Sequence, residues 1–239
     1  MTTLAKILAA ALLSLFMTSC NIVMDGVKGE GEIVRKEKTI NETFTAVKAK
    51  RGLDVVLIDS DDRKVVIEAN ENLHQYIKVY VEGNTLYVTS ENNIYQADQK
   101  SVYVSYQALN KITATSGAGI TADNTIVEKD LTIKASSGAG IDLKVNSDHL
   151  NSSVSSGAAM TLSGKVNSHD ASASSGAHIN AKELISKKAS ASASSGSGIK
   201  IYVKEAFNGS ASSGANVAYY GNPKKVSKND SSGGDVIKR

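Results

Sequence analysis

From residue 109 onward the chain alternates. In Leu131, Ile133, Ala135, Ser137, Ala139, Ile141, Leu143 and Val145 every second position is apolar or small, while Thr132, Lys134, Ser136, Asp142 and Lys144 fall in the opposite phase. Period two is the mark of a strand with one buried face. The phase recurs at Leu150, Ser152, Val154, Ser156, Ala158, Met160 and Leu162, and again at Ala189, Ala191, Ala193, Ser195, Ser197, Ile199, Ile201 and Val203. Each stretch predicts about fifteen residues of strand bent near a glycine, followed by a short polar turn such as Asn146–His149. Glycine is expected where backbones crowd or φ turns positive. The second Ser of each copy falls in the inward phase. It is expected to stack on its equivalents, its hydroxyl bonded to a neighbouring turn of the coil.

The bends carry a repeated text. TSGAGI, SSGAGI, SSGAAM, SSGAHI, SSGSGI, SSGANV and SSGGDV place glycines at 117, 138, 157, 176, 196, 214 and 233, with spacings of 21, 19, 19, 20, 18 and 19. A repeat this regular predicts rungs that bury their apolar side only against the rungs above and below. The fold expected is all-β, a single-stranded and right-handed β-helix with rungs of 18–21 residues. In the last copy the inward phase reads Val226, Lys228, Asp230, Ser232, Gly234 and Val236. Two charges there suit a terminal rung that covers an otherwise adhesive sheet end.

Before the repeat, residues 44–108 read as irregular strands. LDVVLI (53–58), KVVIEA (64–69), YIKVYV (76–81), TLYVTS (85–90) and VYVSY (102–106) are rich in β-branched and aromatic residues. Gly83-Asn84 between two alternating runs fits a tight hairpin. Residues 109–239 then form the repeat solenoid, continuous with that part.

Composition narrows the class. Among 239 residues there are 19 Gly, one Pro, one Cys and no Trp, and no aromatic residue falls between Gln107 and Ile201. Such a stretch builds only a narrow core from Ala, Ser, Val, Ile and Leu. A net charge of +3 with scattered signs gives no nucleic-acid footprint. The basic residues Lys224, Lys225, Lys228, Lys238 and Arg239 read as a solvated end.

The first twenty residues specify an address. Lys6 precedes an apolar run from Ile7 to Met17 and then Thr18-Ser19-Cys20. The run is shorter than the ~20 apolar residues a membrane span needs, and it fits a secretory signal over residues 1–19. Small residues before a Cys resemble the lipobox of bacterial lipoproteins, with Met17 where Leu is commoner. Cys20 is thus the expected lipidation site and mature N-terminus, and residues 20–43 a lipidated leader, or tether, with the first strand. A lone Cys also permits no disulfide within one chain. The sequons at Asn41, Asn151, Asn208 and Asn229 carry no meaning in a bacterium.

The serial SSGAxI text, with Val217-Ala-Tyr-Tyr-Gly-Asn-Pro223 and the closing Ser-Gly-Gly copy, resembles the putative auto-transporter adhesin, head GIN domain family. Phe44, Leu53-Asp-Val-Val-Leu-Ile58, Asn70-Glu-Asn-Leu73 and Gly83-Asn-Thr-Leu86 extend the likeness over roughly residues 29–239. Members of that family resemble one another in being single-stranded β-helices, often exported and lipid-anchored in Bacteroidetes-type bacteria. The resemblance implies adhesion but carries over no ligand and no catalytic residue. Many members have Ser-Gly-Ser-Gly where this chain has Ser-Ser-Gly-Ala.

No Gly-x-Ser-x-Gly elbow, phosphate loop or His-Glu-x-x-His motif occurs. His149 and His169 lie 11 and 12 residues after their glycines and are expected on adjacent turns, as polar turn residues rather than a metal pair. Asp59, Asp61 and Asp62 lack the spacing of a calcium loop. No catalytic residue, metal or cofactor is expected. The feature that reads as presented is a grid of outward serines: Ser153/Ser155, Ser172/Ser174, Ser192/Ser194 and Ser210/Ser212. The expected protein is a cell-envelope lipoprotein of the outer membrane, facing the periplasm or the cell surface. It serves as a non-catalytic adhesion or binding scaffold, held to the membrane by its N-terminal lipid and facing a glycan or cell-surface ligand. The alternative is a structural or envelope-stress accessory lipoprotein with no soluble ligand.

Overall fold

The computed structural model describes residues 26–239. The signal segment and Cys20 lie outside the described residues. Apart from one short 3-10 turn at Glu71–Gln75, the described elements are strands.

Their order is that of a coil. Ile112 lies opposite Ile133, and Ile133 opposite Ser152, in parallel register. Beyond the bend a second column runs Ile120, Ile141, Met160, Ile179, Ile199, Val217 and Val236. The chain thus returns over itself once per repeat, as the glycine spacing predicts. The longer rung from Gly176 to Gly196 takes up its excess as a register shift between Ala181 and Ile185.

The coil starts earlier than its written repeat. Ala46–Ala49 pairs in parallel with Lys111–Ala114, and Asp54–Leu57 with Gly119–Ala122. Lys50-Arg51-Gly52-Leu53 is therefore a bend of the same kind without the Ser-Ser-Gly text. Below it, Thr85–Ser90 and Lys100–Tyr106 supply a further rung. Three antiparallel strands then close this end: Ile77–Glu82 on Thr85–Ser90, Lys64–Asn70 on Lys100–Tyr106, and Ile33–Thr39 on Lys64–Asn70. The Gly83-Asn84 hairpin is where the alternation predicts it, with Gly83 at φ 59°.

The bends differ from expectation in one respect. Ser137, Ser156, Ser175, Ser195 and Ser213 are exposed and do not stack inward. Each sits at φ between 53° and 54°, and the glycine after it at 69° to 72°. Two successive left-handed residues make a type I′ corner, closed by bonds such as Ala158 N–H to Ser155 C=O at 3.2 Å. The corner consumes two residues, so the parity of the alternation survives it, which is why a side chain lifted into solvent still reads as inward. The expected ladder exists, but the backbone carries it. The amide of Gly138 donates to the carbonyl of Ser156, Gly157 to Ser175, Gly176 to Ser195 and Gly196 to Ser213, at 3.0–3.1 Å. Gly52 donates to Ser116 likewise and ties the unwritten first corner to the stack.

The inward columns are otherwise as the alternation places them, with Ile133, Ile141, Leu143, Val145, Leu150, Val154, Met160 and Leu162 buried. Asn146–His149 is not a free turn. Asn146, Ser147 and His149 stay paired with Lys165, Val166 and Ser168, and two consecutive exposed residues, Asp148 and His149, mark a second corner by breaking the alternation. At the far end of the coil the terminal rung is covered by its own charge. Lys228 extends its ammonium to the carbonyl of Val236 at 2.9 Å and over the ring of Tyr219 at 5.2 Å.

Candidate functional site

Two walls flank the Ser–Gly corners. The wall before them carries the eight serines singled out above. Ser153, Ser172, Ser192 and Ser210 stand opposite one another in register, Ser172 and Ser192 exposed and the other two half-buried. Ser155, Ser174, Ser194 and Ser212 form the next column, half-buried and joined by amides donating to Ala135, Val154, Ala173 and Ala193 one rung back. The structure brings all eight together. The ~4.8 Å spacing of neighbouring strands repeats along each column.

The register also extends this wall to residues that the sequence reading passed over. The Ser153 column continues through Lys134, Thr113, Lys48 and Tyr87 to Tyr80. Tyr80 and Tyr87 stack with centroids 5.2 Å apart, and the ammonium groups of Lys48 and Lys50 lie 5.8 and 5.1 Å from the Tyr87 centroid. The signal was available in the hairpin, because a turn centred on Gly83-Asn84 places 80 directly opposite 87. One wall therefore carries stacked aromatics and cations between Tyr80 and Lys134 and short hydroxyls from Ser153 to Ser210.

The wall after the corners is different. There Ala159, Thr161, His178, Asn180, Gly198, Lys200, Asn216, Ala218, Tyr220, Ile237 and Arg239 line a shallow open trough of about 640 Å³. It crosses five rungs, each contributing one to three side chains.

The histidines part company. His149 is exposed opposite Ser168, whereas His169 lies opposite Leu150 with no exposure at all. His169 is therefore not a polar turn residue, and the two do not share a face. Its Nε2 is 2.8 Å from the Ser152 hydroxyl, and burial pushes its pKa down to about 4. This Ser–His pair is sealed in the core, so it presents no nucleophile to a substrate. Asp61 accepts a bond from the Gln107 amide at 3.2 Å. Among the described residues no group of three or more His, Cys, Asp or Glu is placed to hold a metal, and no helix is long and apolar enough to cross a membrane.

What the walls offer is a rigid, laterally repeating surface. Residues 43–223 match the family model described as putative auto-transporter adhesin, head GIN domain. The chain belongs to that family. Membership supports an adhesion or binding role and a place at the cell surface or outside the cytoplasm. Solved structures carry the same fold. A putative adhesin from Bacteroides fragilis is 16% identical, with a TM-score of 0.83 over 90% of this chain and 100% of its own. A putative adhesin from Parabacteroides merdae is 21% identical, with a TM-score of 0.73 over 90% and 99%. A putative lipid binding protein from Parabacteroides distasonis is 16% identical, with a TM-score of 0.75 over 89% and 99%. No curated protein matches the chain. As a head GIN domain, this chain is a β-solenoid whose sequence differs greatly from those of these three structures.

Proposed function

We propose that this protein is a lipoprotein of the outer membrane that acts as a non-catalytic adhesion scaffold, and that the serine wall is its contact surface. The observation that carries the reading is the register of that wall, in which eight serines of four rungs form two adjacent columns, Ser172 and Ser192 exposed and the other six half-buried. Short side chains on a rigid sheet lose little rotamer entropy when a partner orders them. A repeated hydroxyl array suits a repeated partner, such as a glycan coat, better than a single small molecule. The N-terminal pattern ending in Cys20 supports anchoring by lipid, which would leave the solenoid tethered at one end.

The test replaces Ser172, Ser174, Ser192 and Ser194 together by Lys and compares adhesion of cells bearing either form to glycan-coated and host-cell surfaces. Circular dichroism melting serves as the check on folding. A folded variant that loses adhesion supports the reading. One that adheres as wild type removes the serine wall, and cells that do not adhere in either form favour the accessory role.

A further inference from the structure

We propose that the second wall binds a carboxylate-bearing oligosaccharide in the trough between Ala159 and Arg239. The inference concerns the opposite side of the corners and does not depend on the serine wall.

The trough runs across the strands. Ala159, His178, Gly198 and Asn216 stand in one column, and Thr161, Asn180, Lys200, Ala218 and Ile237 in the next. Five rungs at the usual strand spacing give a length of ~19 Å, which suits an extended chain of several sugar units rather than one. Its floor is low where Gly198 lacks a side chain. The His178 ring leans into that space, its Nδ1 2.8 Å from where a Cβ at 198 would sit.

The chemistry of the lining selects the ligand. The floor strands pair on both sides as far as Tyr219, and only the last, Asp235–Lys238, pairs on one side. A strand added at that edge would run along the rung and not along the trough, so a ligand lying in the trough gains no backbone ladder. Recognition is left to side chains, and these mix hydroxyl, amide, imidazole and phenol with the small apolar surfaces of Ala159, Ala218 and Ile237. That mixture matches a sugar, which offers hydroxyls along its edges and C–H groups on its faces.

Charge sets the class of sugar. Lys200 and Arg239 line the trough, no Asp or Glu does, and among the described residues neither cation's side chain is held in an ion pair. Asp142 and Asp235 occupy the neighbouring register positions of Thr161 and Asn216, outside the lining. Lys200, a cation outside any ion pair over a polar floor, favours a carboxylate, and the guanidinium of Arg239 can add paired N–H donors to that group.

The experiment titrates the full chain with short oligogalacturonates and, as controls, with the same oligomers after reduction of their carboxyl groups. The acidic oligomers should bind, the neutral ones should not, and the affinity should fall as salt rises. Lys200→Glu should weaken binding by roughly tenfold or more, with Lys200→Met as the second variant should the first fail to fold. The variant with Lys at Ser172, Ser174, Ser192 and Ser194 should bind as wild type, which separates this site from the serine wall. Absence of binding, equal binding of acidic and neutral oligomers, or full affinity in both folded Lys200 variants overturns the proposal.

Discussion

His169 and Ser152 meet inside the solenoid, one rung apart, with Nε2 and the hydroxyl oxygen separated by 2.8 Å. The column that holds His169 is apolar on either side, with Leu131, Leu150, Ala189 and Phe207. Its Nδ1 has no partner, and neither do the nearby rungs' buried hydroxyls of Ser147 and Ser186. A neutral imidazole tolerates that setting, whereas an imidazolium would have to give up its hydration.

Acid should therefore loosen the fold through this residue. Its pKa falls from 6.5 to about 4 on burial, so between those values the unfolded chain binds more protons than the folded one. Stability from this source is complete above pH 6.5 and is lost as pH falls toward 4, by about 3 kcal/mol in all. Urea midpoints measured across that window for wild type and for the His169→Leu, Ser152→Ala double variant should show the steeper decline in wild type. Parallel curves would exclude a buried neutral His169.

Neighbouring residues should differ sharply in tolerance. Ile141 is 4% exposed and Asp142 is exposed. Ile141→Asp should cost several kcal/mol, since an unpaired carboxylate in the core must stay desolvated or take up a proton. Asp142→Ile should change stability by no more than about 0.5 kcal/mol. Thermal melts of the two variants decide the matter, and equal shifts would reverse the assignment of inside and outside.

The Ser–Gly corners make a prediction about backbone. Ser156 is held at φ 53°, where a side chain branched at Cβ clashes with the backbone. Ser156→Val should destabilise by about 1–2 kcal/mol, although the side chain is exposed and touches no core. Ser156→Asn should be neutral or mildly stabilising, because Asn enters this region readily. Denaturant titration separates the two, and a harmless Val would mean that the corner relaxes out of the left-handed region.

The proposed lipid anchor rests on the sulfur of Cys20. Cys20→Ala should move the protein from the detergent phase to the aqueous phase on phase partitioning, leaving the solenoid folded. A variant that still partitions as wild type would rule out the lipid at that sulfur.

The coil was legible because its interior repeats by residue type as well as by spacing, and Ile141, Met160 and Ile179 fall in one column as the alternation says. What stayed hidden was hidden for physical reasons. A two-residue corner preserves parity, so Ser137 and its equivalents read as inward while standing in solvent. Arg51-Gly52 takes the same conformation as Ser116-Gly117 with no shared text beyond glycine, because the corner demands a dihedral angle and not a hydroxyl. His169 differs from His149 only in lying one position further along its rung, which at the second corner is enough to turn a side chain from water to core. The serine wall could be read because its residues repeat, whereas the trough could not. Each rung gives it a different residue, and only the register collects His178, Lys200 and Arg239 on one surface.

The amide-to-carbonyl links between successive corners also make the rung a unit of inheritance. Removing residues 157–175 would join Ser156 directly to Gly176, restoring a Ser-Gly corner and leaving the remaining columns in register on either side of the bulge after Asn180. Such a chain would be shorter by one strand spacing, ~4.8 Å, with the same ends and the same two walls. Duplication of a rung would lengthen it by the same step. A molecule built this way changes its reach in fixed increments without redesigning its core, so relatives of different length can share one fold while their outward residues diverge freely.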